Sequence, residues 1–247
     1  MKLFYATLCK AGGREQNEDW LGVRLLEDGL GCWVVADGLG GHRGGETASR
    51  VAVETILDEF GKQPTLSPAA LSHWVESAHQ AILSRQMEVP TESNMRTAIA
   101  VFCSDGTIAL WAHVGDVRVY AFRDSAVSFQ SRDHSVSQSL ANAGEIAIHE
   151  IRGHEDRNKL LRSLGSPGKF EPSVLESPFV ILRGDVFLIC TDGFWDYVTE
   201  LEMLLDWCKS LNLRDWLNRM ELRLRHAAPK DHDNYSAIAL LAEIDGD

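Results

Sequence analysis

Two kinds of hydrophobic pattern alternate along the chain, and together they predict the order of its strands and helices. Apolar, β-branched and aromatic runs predict strands at residues 3–9, 31–36, 97–103, 107–114, 117–123, 126–130, 174–182, 185–191 and 235–244. Apolar residues at helical spacing predict helices over 46–60, from Ser67 to about Met87, around 135–143 and within 199–227. Short turns such as Asp105-Gly106 join the middle strands, so these should pair antiparallel. This order favours an α+β fold of two packed sheets with helices outside.

The chain carries no sign of a second domain. No repeat, low-complexity tract or linker interrupts the pattern, and we expect residues 1–247 to form one domain. With 45% hydrophobic and 24% charged residues the composition is that of an ordinary globular protein. The formal net charge of −12 argues against binding to nucleic acid or to an anionic membrane surface. No run approaches the roughly 18 apolar residues of a membrane span.

The cysteines and the N-terminal segment bear on location. Five cysteines are scattered without a C-x-x-C pair, which disfavours a disulfide framework or a structural zinc site and favours a reducing compartment. Residues 1–19 lack the apolar core and cleavage site of a signal peptide. We therefore expect a cytoplasmic protein, and a monomer.

Four aspartates stand where strands end or turn. Asp37 and Asp192 each follow an apolar run and precede a glycine, Asp116 lies in the turn Val-Gly-Asp-Val-Arg, and Asp233 comes just before the last strand. Carboxylates and backbone carbonyls at one sheet rim suit hard divalent cations such as Mg²⁺ or Mn²⁺. An isolated Asp-Gly is more often simply a turn, so spacing alone leaves both interpretations open.

The glycine-rich loop after Asp37 does not match a phosphate-binding motif. It places five glycines within residues 38–45, but Glu46 follows Gly45 where a P-loop needs lysine. A dinucleotide fingerprint would need glycine at the position of Arg43. The acid that precedes the loop is therefore its better candidate for chemistry.

Seven segments, in order and with suitable spacing, resemble the PP2C-type metal-dependent protein serine/threonine phosphatases in their short bacterial form. They are Arg14-x-x-Asn17-Glu18-Asp19, residues 35–49 (VADGLGGHRGGETAS), 115–118 (GDVR), 132–135 (RDHS), 161–165 (LRSLG), 184–196 (GDVFLICTDGFWD) and 233–236 (DNYS). The resemblance covers essentially the whole chain. It implies a four-layer αββα sandwich, in which two antiparallel sheets lie between helices.

The resemblance also implies a two-metal centre holding Mn²⁺ or Mg²⁺. By position, Asp37 should contact both ions, the Gly38 carbonyl one of them, and Asp192 and Asp233 the other. Asp116, with Asp192, should hold a weaker third ion, Glu18 should act through metal-bound water, and Arg14 should bind the substrate phosphate. Asp19 is expected to be a structural support.

The implied reaction is the hydrolysis of phosphoserine and phosphothreonine by direct attack of a water that bridges the two ions. The implied partners are phosphorylated proteins and a cognate bacterial Ser/Thr kinase that the enzyme opposes. No side-chain nucleophile is needed, so Cys190 is expected to be a packed strand residue. Residues 136–160 correspond to the family's flap, which either selects substrates or is a solvated excursion.

One position departs from the animal-type members of the family. They carry histidine directly after the metal-binding Asp-Gly, whereas this chain has Leu39. His42 lies three residues on and is a candidate catalytic residue, although a role in orienting the local loop is favoured over a direct one.

Two alternative functions stay open at the level of the sequence. A catalytically silent module that binds phosphoprotein should lack one or more metal acids, but Asp37, Asp192 and Asp233 are all present. A metal-dependent hydrolase of small phosphoesters is disfavoured only by the resemblance.

Overall fold

The computed structural model describes residues 1–40, 44–168 and 170–244, and shows two antiparallel β-sheets packed face to face. The strands are β1 (Lys2–Lys10), β2 (Asp19–Leu25), β3 (Gly31–Leu39), β4 (Arg96–Ser104), β5 (Ile108–Val114), β6 (Arg118–Arg123), β7 (Ala126–Gln130), β8 (Ser173–Val174), β9 (Phe179–Val180), β10 (Val186–Cys190) and β11 (Tyr235–Glu243). One sheet has the order β1-β11-β10-β6-β7. The other has the order β2-β3-β4-β5-β8, with β9 also paired to β5.

The described residues form six α-helices, of which the first two cover the outer face of one sheet and the last two that of the other. They are α1 (Gly44–Lys62), α2 (Pro68–Glu88), α3 (Val136–Ala143), α4 (Asp192–Trp195), α5 (Glu200–Cys208) and α6 (Leu213–Ala227), and short 3₁₀ helices span Pro90–Glu92 and Ile148–Gly153. None of the described helices combines the length and the apolar character that crossing a bilayer requires.

The alternation of residues along β3 explains the layering. Cys32, Val34 and Ala36 pack with α1 and α2 in one apolar cluster, whereas Trp33 and Val35 pack against the second sheet in another. Successive side chains of a strand point to opposite faces, so one continuous apolar run supplies both interfaces. A third cluster joins the second sheet to α5 and α6. The predicted four-layer αββα sandwich is therefore confirmed.

The helix boundaries follow from capping side chains. Ser67 accepts a hydrogen bond from the Ala70 N–H at 3.2 Å, which confirms the predicted start of α2. Thr199 and Glu202 form a reciprocal capping box at the start of α5. Asn212 caps a separate helix, α6, so the helical region predicted within 199–227 is two helices.

One strand of the structure was not predicted, and one predicted strand was wrong. Strand β2 was missed, because it is only partly buried and mixes polar with apolar residues, yet it pairs with β3 over its full length. The single strand predicted at 174–182 is instead the two short strands β8 and β9. Pro178 lies in the interruption and has no N–H to donate to β5.

Candidate functional site

A polar pocket of about 540 Å³ opens at one end of the interface between the sheets. It is lined by every site residue that the sequence predicted within the described part of the chain: Arg14, Glu18, Asp37, Gly38, Asp116, Asp192 and Asp233. These residues come from segments more than 200 positions apart in the sequence, and the fold brings them to one place. His42 lies outside the described residues.

Asp37 and Gly38 occupy the end of β3, where the strand passes from core to pocket. The Thr97 hydroxyl donates to the Asp37 carbonyl at 2.7 Å, and the Gly38 N–H donates to the Glu18 carbonyl at 3.1 Å. A Cβ at position 38 would collide with the Gly45 carbonyl at the start of α1 and with the Glu18 backbone. Glycine follows Asp37 because the chain packs too closely here for any side chain.

Asp192 and Asp233 are brought together by a second close packing. Asp192 begins α4, and a Cβ on Gly193 would meet the backbone carbonyl of Asn234. The Asn234 side chain also accepts from the Glu18 N–H at 2.7 Å and donates to the carbonyls of Ala11 and Gln16. Asn234 therefore fixes the segment that carries Arg14 and Glu18 to the loop that carries Asp233.

Asp116 lies in the turn between β5 and β6 and is held by a tryptophan. The Trp195 indole N–H donates to the Asp116 carbonyl at 2.9 Å. The Arg118 guanidinium lies 3.4 Å from the centre of the Trp195 ring and forms a buried ion pair with Asp133. Trp195 was not singled out in the sequence, where it is simply one large apolar residue after the Asp-Gly pair.

The pocket carries more negative charge than its surroundings neutralise. Burial, and then the nearby carboxylates Asp19, Asp192 and Asp116, raise the pKa of Asp37 well above its usual value. Burial, followed by Asp196 and Asp233, raises the pKa of Asp192 to about 6. Burial and Asp233 raise the pKa of Glu18, although Arg14 opposes them.

Arg14 is the only basic side chain in the described ranges that forms an ion pair with an acid of the pocket. Its guanidinium lies 3.2 Å from the Asp233 carboxylate, and both side chains are about half exposed. Arg14 is thus placed at the mouth, where it can reach an incoming anion.

Asp19 is a buried carboxyl group next to Asp37, and its charge interacts with those of the pocket acids. It stands opposite Asp37 in the β2–β3 register and is 2% exposed. Burial raises its pKa to about 8, and Asp192 and Asp233 add to the increase. One carboxylate oxygen accepts from the Thr191 hydroxyl at 3.1 Å, and the other has no partner in the described structure. Its pairing with Asp37 became visible only with the register of β2, the strand that the sequence pattern did not reveal.

The donor set suits a hard divalent cation that keeps part of its water shell. Within the described residues, no three His, Cys, Asp or Glu side chains are gathered tightly enough to enclose an ion by themselves. Mg²⁺ and similar ions commonly take only one or two carboxylates and fill the other positions with water and substrate oxygens. Asp37 and Asp192, whose carboxyl groups are within hydrogen-bonding reach of each other, lie beside Gly38 and meet that requirement. Buried, mutually repelling carboxylates without a cationic partner are costly, and a bound cation would offset that cost.

The segment 136–160 leaves the sheet beside this pocket and returns to it. It contains α3 and the 3₁₀ helix Ile148–Gly153, and a bridge between Ser135 and Leu160 closes its base. Within it, Arg157 forms a 2.8 Å ion pair with Asp196, and Asn158 and Leu160 line the pocket. The segment therefore forms one wall of the site.

The family model for protein phosphatase 2C matches residues 11–234. The serine/threonine phosphatase stp of Listeria monocytogenes is 32% identical over 197 residues, which are 77% of each chain. The structure of the Mycobacterium tuberculosis serine/threonine phosphatase PstP/Ppp superimposes with a TM-score of 0.85 at 27% identity, covering 99% of this chain and 100% of that one. The catalytic domain of PstP in complex with two manganese ions superimposes with a TM-score of 0.82 at 26% identity, covering 98% and 99%. The chain belongs to the protein phosphatase 2C family, as its ordered motifs predicted.

Proposed function

We propose that this enzyme hydrolyses phosphoserine and phosphothreonine in proteins, with Mn²⁺ or Mg²⁺ as its cofactor. The observation that carries the proposal is the single pocket in which Asp37, Asp192, Asp233, Asp116 and Glu18 meet Arg14. The manganese in the PstP catalytic-domain structure and the names of the relatives support the same activity.

The core ions would be held by the residues that the sequence singled out. Asp37 would contribute to both, the Gly38 carbonyl to one, and Asp192 and Asp233 to the other. Asp116 would hold a weaker third ion together with Asp192. Glu18, whose backbone is tied to Asn234 and Gly38, would accept a hydrogen bond from coordinated water.

When bound, such ions lower the pKa of water and neutralise charge on the phosphoryl oxygens. Arg14 would bind the phosphate, for which a guanidinium offers paired N–H donors. Asp233 orients that guanidinium through their ion pair. The reaction would be a direct attack of water on phosphorus.

A covalent intermediate on Cys190 finds no support in the fold. The Cys190 side chain is fully buried in β10 among the residues that face α5 and α6. Burial also raises the pKa of the thiol, which disfavours the nucleophilic thiolate.

The biological setting is part of the proposal. The five free cysteines include Cys32 and Cys103, which stand opposite each other on β3 and β4, and free thiols of this kind suit the reducing cytoplasm. There the enzyme would act as a one-domain monomer on phosphoproteins and oppose a Ser/Thr kinase, with residues 136–160 serving as a substrate-facing flap.

The decisive test is hydrolysis of a phosphothreonine peptide with Mn²⁺, with and without a chelator, by wild type and by Asp192→Asn. We expect turnover by the wild type with Mn²⁺ only, and almost none by the variant. Full activity in the chelated sample or in the variant would contradict the metal mechanism.

The same assay separates the two alternatives. A silent phosphoprotein-binding module would bind the peptide but release no phosphate. A small-phosphoester hydrolase would turn over nucleotides and p-nitrophenyl phosphate far better than the peptide.

A further inference from the structure

A second groove, of about 360 Å³, opens from the acidic pocket. The two cavities share Leu39, Gly40, Asn158 and Leu160 as a common wall. Beyond that wall the groove is lined by Arg96, Ser163 and Ser166, none of which lines the acidic pocket. The groove therefore adjoins the reacting centre but is chemically different from it.

Arg96 differs from three other arginines of the structure in having no ion-pair partner among the described residues. Arg118, Arg123 and Arg223 each form an ion pair with a buried carboxylate at 2.6 Å. Arg96 forms no ion pair with any residue in the described part of the chain, and its Nε is buried without a hydrogen-bond partner. A buried donor of a charged group without an acceptor is destabilising, so an anion in the groove would relieve a cost that the folded chain carries.

The register of the strands places Arg96 on the same face of the sheet as Asp37. Arg96 stands opposite Leu39, and Ala98 stands opposite Asp37. Residues two apart on a strand share a face, so the Arg96 side chain leaves the sheet on the pocket side. The two positions are about 7 Å apart along the strands, since each residue advances the strand by roughly 3.4 Å.

The walls of the groove are fixed by hydrogen bonds to elements behind them. Thr97 and Leu164 exchange backbone hydrogen bonds of 3.2 and 2.9 Å. The Gln86 side chain donates to the carbonyls of both Met95 and Gly165, which joins the start of β4 to the 163–166 loop. The groove is thus formed before any ligand arrives, and binding would require little ordering of the protein.

We propose that this groove binds an anionic side chain of the phosphoprotein substrate, either a carboxylate or a second phosphate, next to the residue being dephosphorylated. The inference rests on the proposed function, because it assumes a peptide in the acidic pocket. An extended peptide advances about 3.3–3.6 Å per residue, so the anion would come from a substrate residue one to three positions away. The Arg96 guanidinium would pair with it. The hydroxyls of Ser163 and Ser166 lie 2.7 Å apart and share one hydrogen bond, so the O–H of the accepting serine would be free to donate to the anion.

The test uses two sets of phosphothreonine peptides. One set carries glutamate or phosphoserine at one position within three residues of the phosphothreonine, and the matched set carries glutamine or serine at that position. We expect wild type to favour the anionic peptide at one position by about five- to tenfold in kcat/KM, mostly through KM. The glutamate and phosphoserine peptides distinguish the two sources of the anion.

Three variants assign the preference to the arginine. Arg96→Met keeps the apolar stem and should abolish the preference, Arg96→Glu should invert it, and Arg96→Lys should retain part of it. Arg50→Met removes the same charge from an exposed position on α1 and should leave the preference unchanged. Arg50→Met should hydrolyse p-nitrophenyl phosphate like the wild type. For each Arg96 variant the preference is the ratio of kcat/KM for the anionic peptide to that for the neutral peptide, so a general change in turnover cancels.

Equal turnover of anionic and neutral peptides by wild type, or an unchanged preference in Arg96→Met and Arg96→Glu, would overturn this inference and leave the proposed function standing. Hydrolysis of p-nitrophenyl phosphate without turnover of any phosphopeptide would overturn both.

Discussion

The interface between the two sheets has an apolar region and an acidic end, and the same strands build both. In the apolar region, Phe102 of β4 lies 4.9 Å from Phe187 of β10, ring centre to ring centre, and is fully buried. At the acidic end, β3 passes from Val35 to Asp37 on the same face, and β10 leads into Asp192. A shift of two residues along a strand therefore separates a residue that stabilises the fold from one that is suited to catalysis.

The two regions contribute to the free energy of folding with opposite signs. Burial of aromatic rings at the apolar region is favourable, by about 25 cal/mol for each Å² of apolar surface removed from water. The buried carboxylates repel one another, and their raised pKa values reflect that cost. The rigid apolar region holds the costly acidic end in place, which is the usual trade between stability and function.

The largest expected effect comes from neutralising the acid at the junction. Asp37→Asn should reduce turnover of a phosphothreonine peptide by about 1,000-fold, on the scale of other single electrostatic groups removed from active sites. Without metal the variant should be more stable than wild type by about 1 kcal/mol, because one repelling charge is gone. Urea unfolding in a chelator and steady-state kinetics with Mn²⁺ measure the two effects.

The matched control is Asp124→Asn, in the exposed turn between β6 and β7. This variant should change neither the turnover of the phosphothreonine peptide nor the free energy of unfolding appreciably. If Asp37→Asn were less stable than wild type in the chelator, the acidic end would not be a source of strain.

Truncation in the apolar region should affect stability and spare the chemistry. Phe102→Ala removes a ring that contacts Trp33, Trp111 and Phe187, and should lower the free energy of unfolding by about 3–5 kcal/mol. The Kd for Mn²⁺, measured by calorimetry below the unfolding temperature, should change less than twofold. A large change in that Kd would show that the two regions are coupled more tightly than their chemistry suggests.

A smaller effect is expected where an aromatic residue supports an acid. Trp195→Phe removes the N–H that donates to the Asp116 carbonyl and should lower stability by about 1 kcal/mol. It should also weaken the weakest Mn²⁺ binding step severalfold, which a calorimetric titration of the apoprotein would detect.

Trp216→Phe is the control for this effect. The Trp216 indole N–H donates to the Met203 carbonyl at 2.8 Å in the layer of α5 and α6, and neither residue lines the pocket. The Trp216→Phe variant should lose about as much stability as Trp195→Phe, and its Kd for Mn²⁺ should not change. Equal effects on binding from both variants would contradict a specific role for Trp195.

The smallest expected effect concerns pH and the histidines beside the Asp116 turn. His134 accepts from the Gly115 N–H through Nδ1, lies near the Ser173 hydroxyl through Nε2, and stacks on His113. Burial, with His113 and Arg162 nearby, lowers the pKa of His134 to about 3. The folded protein therefore keeps this ring neutral while the unfolded chain protonates it below about 6.5.

This contribution to stability is complete above pH 6.5 and is lost as the pH falls from 6.5 towards 3. Between pH 7 and pH 6 the loss should be about 0.7 kcal/mol. Urea unfolding at the two pH values, compared with His134→Gln, should show a shallower slope in the variant. An identical slope would mean that other groups determine the acid sensitivity.

Much of the fold and of the site could be predicted from local sequence patterns. Strand alternation and turn signals indicated two antiparallel sheets, and the ordered motifs indicated the family and the acids around the pocket. The hydrophobic pattern did not predict β2, because that strand is only partly buried and mixes polar with apolar residues. It predicted one strand in place of β8 and β9, because the effect of Pro178 depends on hydrogen bonds to β5, which the local pattern does not show. The roles of individual acids as metal ligands stay predictions until the metal is measured.

The sequence by itself determined which residue types stand at strand ends, and the alternation that sends Val35 and Asp37 to one face. Only the tertiary structure decided that Asp19 lies opposite Asp37, that Asn234 ties together segments from both ends of the chain, and that Arg96 forms no ion pair with any described residue. Those facts depend on register and on contacts between distant segments, which a local pattern does not encode, because each strand can satisfy its own alternation in more than one pairing.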